Sequence, residues 1–236
     1  MPIQRASTKF KENMGVGTTN PSHPLHIVTS TDGSGLSGDD KWAAIIQNAE
    51  ATDGRSYGLK IMAGSTTDQA FAITDHDGSN DLMAVDGYGH ITKPKQPAFL
   101  AHPSSTVTDM AVNTTHTLLF QTEVADRNAD FDGSTGIFTA PVTGLYHFSV
   151  LLRLQEMNHG YSIVHCKLIT SNSSNYIWIM DMRYGDANPD YFPLAFSTMA
   201  DMDAGDTAKV QLFIPNYSSA QVDFREESWF SGYLVC

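Results

Sequence analysis

Apolar and polar residues alternate along much of the second half of the chain, with the period of two that is typical of half-buried β-strands. In residues 144–154 the side chains of Tyr146, Phe148, Val150 and Leu152 fall on one face. No stretch longer than about ten residues has the i, i+3, i+4, i+7 spacing of an amphipathic helix. Turn pairs such as Asp-Gly separate the alternating runs. The pattern predicts an all-β protein.

Candidate strands follow one another at short intervals from residue 98 to the end of the chain. They cover residues 98–101, 117–123, 136–140, 144–154, 161–170, 175–184, 193–201, 207–215 and 228–235. Short strands separated by turns predict an antiparallel sandwich or jelly roll, because parallel βαβ units would need helices between the strands.

The strand candidate 175–184 and the C-terminal segment 228–236 are apolar on both faces. An opposing sheet covers one face of such a strand, and either a second subunit or the chain's own loops must cover the other. We expect a second subunit. The expected subunit-interface residues are Tyr176, Trp178, Met180, Met182, Trp229, Phe230 and Tyr233.

The N-terminal segment 14–93 has shorter apolar runs between glycine turns. The candidate strands here are 42–47, 56–62, 70–74 and 82–86. Sheets of so few short strands bury too little apolar surface to be stable alone. We therefore expect a small β-rich stalk in which three chains intertwine.

Two prolines mark a boundary at residues 94–97, because proline denies a backbone donor and biases the preceding residue towards extended structure. We interpret these residues as a linker before a head at 98–236. The formal net charge is −12. Residues 1–96 carry 8 basic and 11 acidic side chains, a net of −3, and residues 97–236 carry 6 and 15, a net of −9.

This acidic excess argues against nucleic-acid binding, which depends on Lys and Arg neutralising phosphates, and against adhesion to anionic membranes. The apolar runs are also too short for a membrane-spanning helix. The one basic cluster comprises Arg5, Lys9 and Lys11, in residues 1–13. We interpret residues 1–13 as an extended anchor on a larger acidic assembly, with an unattached terminus as the alternative.

Residues 131–149, FDGSTGIFTAPVTGLYHFS, resemble the signature of the complement-1q globular head family. The ending SWFSGYL at 228–234 resembles the family's closing strand, Ala-Gly-Asp at 204–206 its turn, and Pro-Ala-Phe at 97–99 its opening strand. The resemblance implies a ten-stranded jelly roll of the tumour-necrosis-factor type that assembles as a homotrimer. This agrees with the two-faced strands.

Residues 14–27, MGVGTTNPSHPLHI, resemble a phrase that recurs in tail fibres and other fibrous virion proteins of bacteriophages. Residues 82–91, LMAVDGYGHI, resemble a companion phrase of those proteins. The resemblance implies a protein on the particle surface, made in the host cytoplasm, whose N-terminal part attaches to other virion structural proteins.

In a jelly roll of this order, alternate loops project at the end away from the N-terminal part. These loops are rich in aromatic, acidic and amide side chains, which suits a glycan or Ca²⁺; the alternative is that they are simply solvated. The candidate ligand-binding residues are His159, Asp186, Asn188, Asp190, Tyr191, Tyr217, Asp223, Arg225 and Glu226.

The sequence contains no Gly-x-Ser-x-Gly, His-Glu-x-x-His or phosphate-loop motif, so we expect neither an enzyme nor a bound cofactor. Residues 126–133 have the alternating oxygens of a calcium loop, but Phe131 occupies the position of the invariant glycine and Ile137 that of the bidentate glutamate. We interpret this segment as a turn. Cys166 is interpreted as an inert core residue.

These observations favour a trimeric bacteriophage fibre or receptor-binding protein that adheres to a host-surface receptor or glycan. The alternative is a decoration or cement protein of the capsid or tail that recognises no receptor. A polysaccharide depolymerase is disfavoured, because no acid/base or nucleophile set is visible and residues 14–93 are too short for a solenoid groove.

Overall fold

The computed structural model describes residues 14–16, 19–27, 59–161, 163–173, 176–184, 187–215 and 221–236. The chain divides into two compact units, Met1–Met62 and Ala63–Cys236. Regular structure in the described residues is β-strand apart from one 3-10 turn at Met182–Tyr184, which confirms the all-β prediction. Among these residues, no helix is long and apolar enough to cross a membrane.

Among the described residues of the first unit, β1 (Met14–Val16) pairs in parallel with β2 (Leu25–Ile27). In the second unit, β3 (Gln69–Thr74), β4 (Asp81–Asp86) and β5 (Ile91–Thr92) form an antiparallel sheet. Residues 59–62 lie in no strand, so the strand predicted over 56–62 is wrong there. The predicted strand 42–47 lies outside the described residues.

The rest of the second unit is a jelly roll of two antiparallel sheets. Its strands are β6 (Ala98–His102), β7 (Val107–Ala111), β8 (Thr115–Thr117), β9 (Thr122–Asp126), β10 (Phe131–Asp132), β11 (Ile137–Thr139), β12 (Gly144–Gln155), β13 (Val164–Thr170), β14 (Tyr176–Met180), β15 (Tyr191–Met202), β16 (Thr207–Phe213), β17 (Gln221–Phe224) and β18 (Trp229–Leu234). One sheet has the order β7-β17-β12-β18-β6-β9 with β15 beside β12, and the other has the order β10-β11-β16-β13-β14 with β8 beside β16. The predicted jelly-roll fold is confirmed, and its sheets are not closed into a barrel.

Strand β12 is paired along both edges. One edge pairs with β15 over the full length, from Gly144↔Met202 to Gln155↔Tyr191. The other edge pairs first with β18 and then with β17. The inward side chains of β12, from Tyr146 to Leu154, are at most 1% exposed, as the sequence alternation predicts.

Aromatic rings fill the space between the two sheets. The ring of Phe99 stacks on Phe131, with centroids 4.5 Å apart, and meets Phe230 edge-on at 4.9 Å. Gly232 of the closing strand lies against these rings. A Cβ there would lie 2.6 Å from the Phe148 ring and 2.8 Å from that of Phe99. The close approach of the rings therefore requires glycine at this position.

The turn before β11 explains why residues 132–136 of the signature segment have the sequence DGSTG. Asp132 accepts hydrogen bonds from the backbone N–H and the hydroxyl of Ser134, at 2.9 and 2.6 Å, and the hydroxyl bond is the main cause of the lowered pKa of Asp132. Gly136 has a φ of +69°, and a Cβ there would lie 2.5 Å from the Leu118 carbonyl oxygen. These residues form the turn and its packing against a neighbouring loop.

Replacing Phe230 with alanine should strongly destabilise the head. The side chain is fully buried and touches several rings, so we expect a loss of about 3–5 kcal/mol in the free energy of unfolding. Urea unfolding at fixed protein concentration measures this loss. Val124→Ala is the control, because Val124 is 56% exposed. Equal unfolding midpoints for the two variants would contradict the packing described here.

Candidate functional site

A cleft of about 620 Å³ opens where β12 ends, at the opposite end of the sandwich from Pro97. We call it the apex cleft. Its lining comes from the end of β12 and the loop after it (residues 155–161), from residues 188–191 before and at the start of β15, and from Gln221 at the start of β17. Three segments that are distant in the sequence thus meet at one end of the fold.

The floor of the apex cleft is apolar. Met157 and Tyr161 are each 1% exposed. The Tyr161 hydroxyl donates a hydrogen bond to the Gln221 carbonyl oxygen at 2.9 Å, so its polar atom is satisfied. Burial, and to a smaller extent the charge of Glu156, raises the pKa of Tyr161. The tyrosine therefore stays protonated and forms a rigid part of the cleft floor rather than acting as an acid or base.

Of the four residues with amide side chains that line the apex cleft, three have the side-chain carbonyl oxygen engaged. Gln155 accepts from Nη1 of Arg225 at 3.1 Å, and Asn158 accepts from the Gly160 N–H at 2.7 Å. Asn188 accepts from the His159 N–H at 3.0 Å, and its oxygen lies 2.6 Å from His159 Nδ1. These bonds fix the orientation of each amide.

A small network of charges supports one edge of the cleft. Arg153 lies over the ring of Tyr191, with its Cζ 4.2 Å from the ring centroid, and donates to Glu227 at 2.9 Å. Arg225 approaches the other Glu227 oxygen at 3.4 Å. The pKa of Glu227 is lowered mainly by a hydrogen bond from the backbone N–H of Glu227 itself, and to a smaller extent by the two arginines. The network positions Tyr191 and Gln155.

Three carboxylates come together beside the cleft, and we call them the acidic cluster. Oxygens of Asp109, Glu156 and Asp223 lie within 4.8 Å of one another. Asp223 also accepts a hydrogen bond from the Asp109 N–H at 3.0 Å. The cluster supplies three oxygens where Ca²⁺ takes six to eight. Among the described residues, these are the ones that could contribute to holding a cation.

The structure brings three of the predicted ligand-binding residues, Asn188, Asp190 and Tyr191, into the apex cleft. His159 contacts Asn188 and Arg225 contacts Gln155, so both support the walls. The remaining predicted residues are placed as follows: Asp223 lies in the acidic cluster, Glu226 is exposed in the turn before β18, and Asp186 and Tyr217 lie outside the described residues.

The predicted ligand-binding residues did not include Asp109 of the acidic cluster or five cleft residues, Gln155, Glu156, Asn158, Tyr161 and Gln221. The carboxylates of Asp109 and Asp223 lie close together because β7 pairs with β17. No local sequence pattern predicts a pairing between strands so far apart in the sequence. Tyr161 stands at the start of the predicted strand 161–170, but the observed strand β13 begins at Val164, so Tyr161 belongs to the loop that forms the cleft. The anchor candidates Arg5, Lys9 and Lys11 lie outside the described residues.

The predicted subunit-interface residues fall on different surfaces. Phe230 and Met182 are 0% and 6% exposed in one chain, so neither offers a surface to a second subunit. Trp178 packs against the same core. The reason is register: Trp178 pairs with buried Cys166, and Phe230 pairs with buried Val150.

The other members of this set lie on two different sheets. Met180, on β14 of the six-stranded sheet, is 38% exposed. Tyr176 pairs with Leu168 on the same sheet. Trp229 and Tyr233, on β18 of the seven-stranded sheet, alternate with the buried positions of that strand, and Tyr233 is 49% exposed.

The loop with calcium-like spacing uses its oxygens for its own backbone. The Asp126 carboxylate accepts from the N–H groups of Asp130 and Phe131 at 3.2 and 3.0 Å. Burial is the largest effect on Asp130 and raises its pKa. The segment is a hydrogen-bonded turn that leads into β10.

The two facing antiparallel sheets, with loops gathered at one end, define a jelly-roll domain of the complement-1q and tumour-necrosis-factor type. Comparison with protein families gives the same result, since residues 98–235 match the family model of the C1q domain. The match covers more than half of the chain, and the chain belongs to the C1q domain family.

Solved structures of this type are similar to the chain at low sequence identity. The globular domain of zebrafish complement 1qA is 17% identical, with 60% of this chain and 98% of that chain covered and a TM-score of 0.45. Murine APRIL at pH 5.0 is 12% identical, covering 60% and 100% at a TM-score of 0.44. The pH 8.0 structure of murine APRIL is also 12% identical, with the same coverage and a TM-score of 0.45. C1q/TNF-like domains are typically non-enzymatic binding or structural modules and commonly form homotrimers.

The two cysteines should differ sharply in reactivity. Burial raises the pKa of Cys166 to about 12, and its side chain is fully enclosed, whereas Cys236 is exposed. Because the thiolate is the reactive form, a thiol reagent at neutral pH should modify Cys236 quickly and Cys166 only after unfolding. Colorimetric titration of thiols in native and denatured protein measures this. In a Cys236→Ser variant the fast phase should vanish; a fast phase that persists would show that Cys166 is accessible.

Proposed function

We propose that this chain is a bacteriophage virion protein that acts as a trimeric fibre or receptor-binding protein. The N-terminal part would attach to other virion proteins, and the C1q-type head would face outward at the particle surface and adhere to a host receptor or glycan. The observation that carries the proposal is the fibre-type phrase at residues 14–27 in one chain with a C1q-type head at 98–235.

The outer face of the seven-stranded sheet supports assembly into a trimer. We call this surface the β12 face. Its central rows carry apolar side chains with large exposed fractions, namely Leu151 at 40%, Met199 at 52% and Tyr233 at 49%. Between them lie small side chains, Ser149, Ser197, Ser231 and Ala195, which pair across β12, β15 and β18. A surface of this composition is typical of the centre of a subunit interface.

The outer face of the six-stranded sheet has a different character. It carries Lys167 and Lys209 on neighbouring strands, with His165 beside them. Burial, with a smaller contribution from the charge of Lys167, lowers the pKa of His165. Charged residues are depleted from interface centres, so we assign this face to solvent and the β12 face to the other subunits.

The three-stranded sheet also supports a multi-chain stalk. Phe71, Ile73 and Ile91 are 38% to 60% exposed in a single chain, and the strand register places all three on one side of the sheet. Three short strands with one uncovered apolar side need a partner for stability. Other copies of the same segment would provide it, as in the proposed intertwined stalk.

Charge on the β12 face should dissociate the trimer. The wild-type chain is expected to sediment at three times its mass of 25.8 kDa. The double variant Leu151→Glu/Met199→Glu would bury carboxylates without partners between the heads, so the average sedimenting mass should fall below that of the trimer while the jelly roll stays folded. Sedimentation equilibrium and circular dichroism measure mass and folding. Ile179→Glu, at a 55% exposed position of the other sheet, is the control and should stay trimeric. A monomeric wild type, or a trimer lost only in Ile179→Glu, would overturn the assignment.

In the full chain, substitutions in the N-terminal part should abolish attachment to the particle without abolishing adhesion to host cells. Purified wild-type protein, added to host cells before the phage, should reduce phage adsorption. The variant Arg5→Glu/Lys9→Glu/Lys11→Glu should fail to enter particles, because its anchor charge is reversed, yet should still block adsorption. Immunogold labelling locates the protein on the particle. Incorporation of the wild type without any effect on adsorption would favour the decoration protein instead.

A further inference from the structure

We infer that the apex cleft binds one neutral sugar unit, with the Tyr191 ring as the stacking surface and three oriented amides as hydrogen-bond donors. This inference deepens the proposed adhesion function and rests on it for its biological role. The cleft volume of about 620 Å³ lies within the range of about 300–1,000 Å³ that small-ligand sites occupy.

Tyr191 provides a rigid surface at the cleft edge. Its side chain lines the cleft and is 46% exposed. Arg153 lies over the ring, with its Cζ 4.2 Å from the ring centroid, which holds the ring in place. A tyrosine offers a large apolar area at a small cost in conformational entropy. The C–H face of a sugar ring suits such a surface.

The amides provide donors whose orientation is set before any ligand arrives. Gln155, Asn158 and Asn188 are each held through the carbonyl oxygen, so the NH₂ group is what each can offer to a ligand. Glu156 and Asp190, also on the walls, are acceptors when ionised. A sugar hydroxyl both accepts and donates, so it can bridge an amide and a carboxylate. Donors fixed in advance reduce the entropy lost on binding.

Charge favours a neutral sugar over an acidic one. Two carboxylates stand on the cleft wall, and Glu156 also belongs to the acidic cluster. The two nearby arginines, Arg153 and Arg225, are already engaged by Glu227. A uronate or sialate would therefore meet like charge at close range, which disfavours binding.

Three such clefts on one trimer would compensate for weak single-site binding. An open cleft with a few hydrogen bonds is expected to bind a single sugar at millimolar dissociation constants. Linked sites gain apparent affinity through effective concentration when a surface presents many copies of the ligand. A host glycan layer is such a surface.

The test uses the full chain and simple probes. Methyl glycosides of glucose, galactose, mannose, rhamnose and N-acetylglucosamine are titrated by saturation-transfer NMR, with glucuronate as the charged probe. At least one neutral glycoside should bind, and glucuronate should bind more weakly. Tyr191→Ala should weaken binding about tenfold or more. Tyr191→Phe keeps the ring and should bind as the wild type does, and Asp190→Ala should weaken binding.

The matched control is Tyr88→Ala, an exposed tyrosine of the three-stranded sheet, which should bind normally. Circular dichroism confirms that each variant is folded. The inference is overturned if no neutral glycoside binds, if glucuronate binds as tightly, or if a folded Tyr191→Ala variant keeps the wild-type affinity. If Tyr191→Ala and the wild type block adsorption equally, the cleft is not the adhesion site, but the proposed adhesion function still stands. If the protein binds sugar but is absent from phage particles, the sugar site stands and the proposed virion function is wrong.

Discussion

The pairing of β12 along both edges is the constraint on which the head depends. Its twelve residues run from the end held by Cys236, whose carbonyl oxygen accepts from the Leu145 N–H, to the apex cleft at Gln155. A shift of one residue against β15 or β18 would turn Tyr146 and Phe148 outward and Ser149 inward. The aromatic core permits only one register, so the sheet and the core specify each other.

The residues by which this family is recognised in the sequence therefore serve mostly to pack the core and shape its turns. Position 232 requires glycine because two aromatic rings leave no room for a Cβ. Position 136 requires glycine because its backbone has a positive φ and lies next to Leu118. Neither residue lies in the apex cleft. The cleft is built from loops that a rigid scaffold holds at one end, where binding residues can vary without disturbing the core. A strong family match thus establishes the fold but does not identify the ligand, which depends on the residues of the loops.

The sequence reveals the faces of β12 because one of its faces is apolar and the other is polar. It does not reveal the faces of β14 or β18, where both faces are apolar and only the register decides which side turns inward. Phe230 is buried because it pairs with Val150, while Tyr233, three residues later, pairs with outward-facing His147. The acidic cluster is even harder to predict from the sequence, because it depends on strand pairing. Asp109 and Asp223 lie far apart in the sequence and meet only through the β7–β17 pairing.

The β12 face and the apex cleft are linked through a few side chains at the end of the sheet. Arg153 holds the ring of Tyr191, Arg225 holds the amide of Gln155, and Glu227 joins the two arginines. These side chains are 26% to 40% exposed, so each ion pair contributes only about 0–1 kcal/mol to stability. Their effect is on orientation rather than on stability. Because Arg153 also projects from the β12 face, a subunit packed there would restrict the same arginine that positions Tyr191. In the proposed trimer, subunit association would therefore be coupled to the geometry of the cleft, and the trimer should present a more ordered cleft than a single chain.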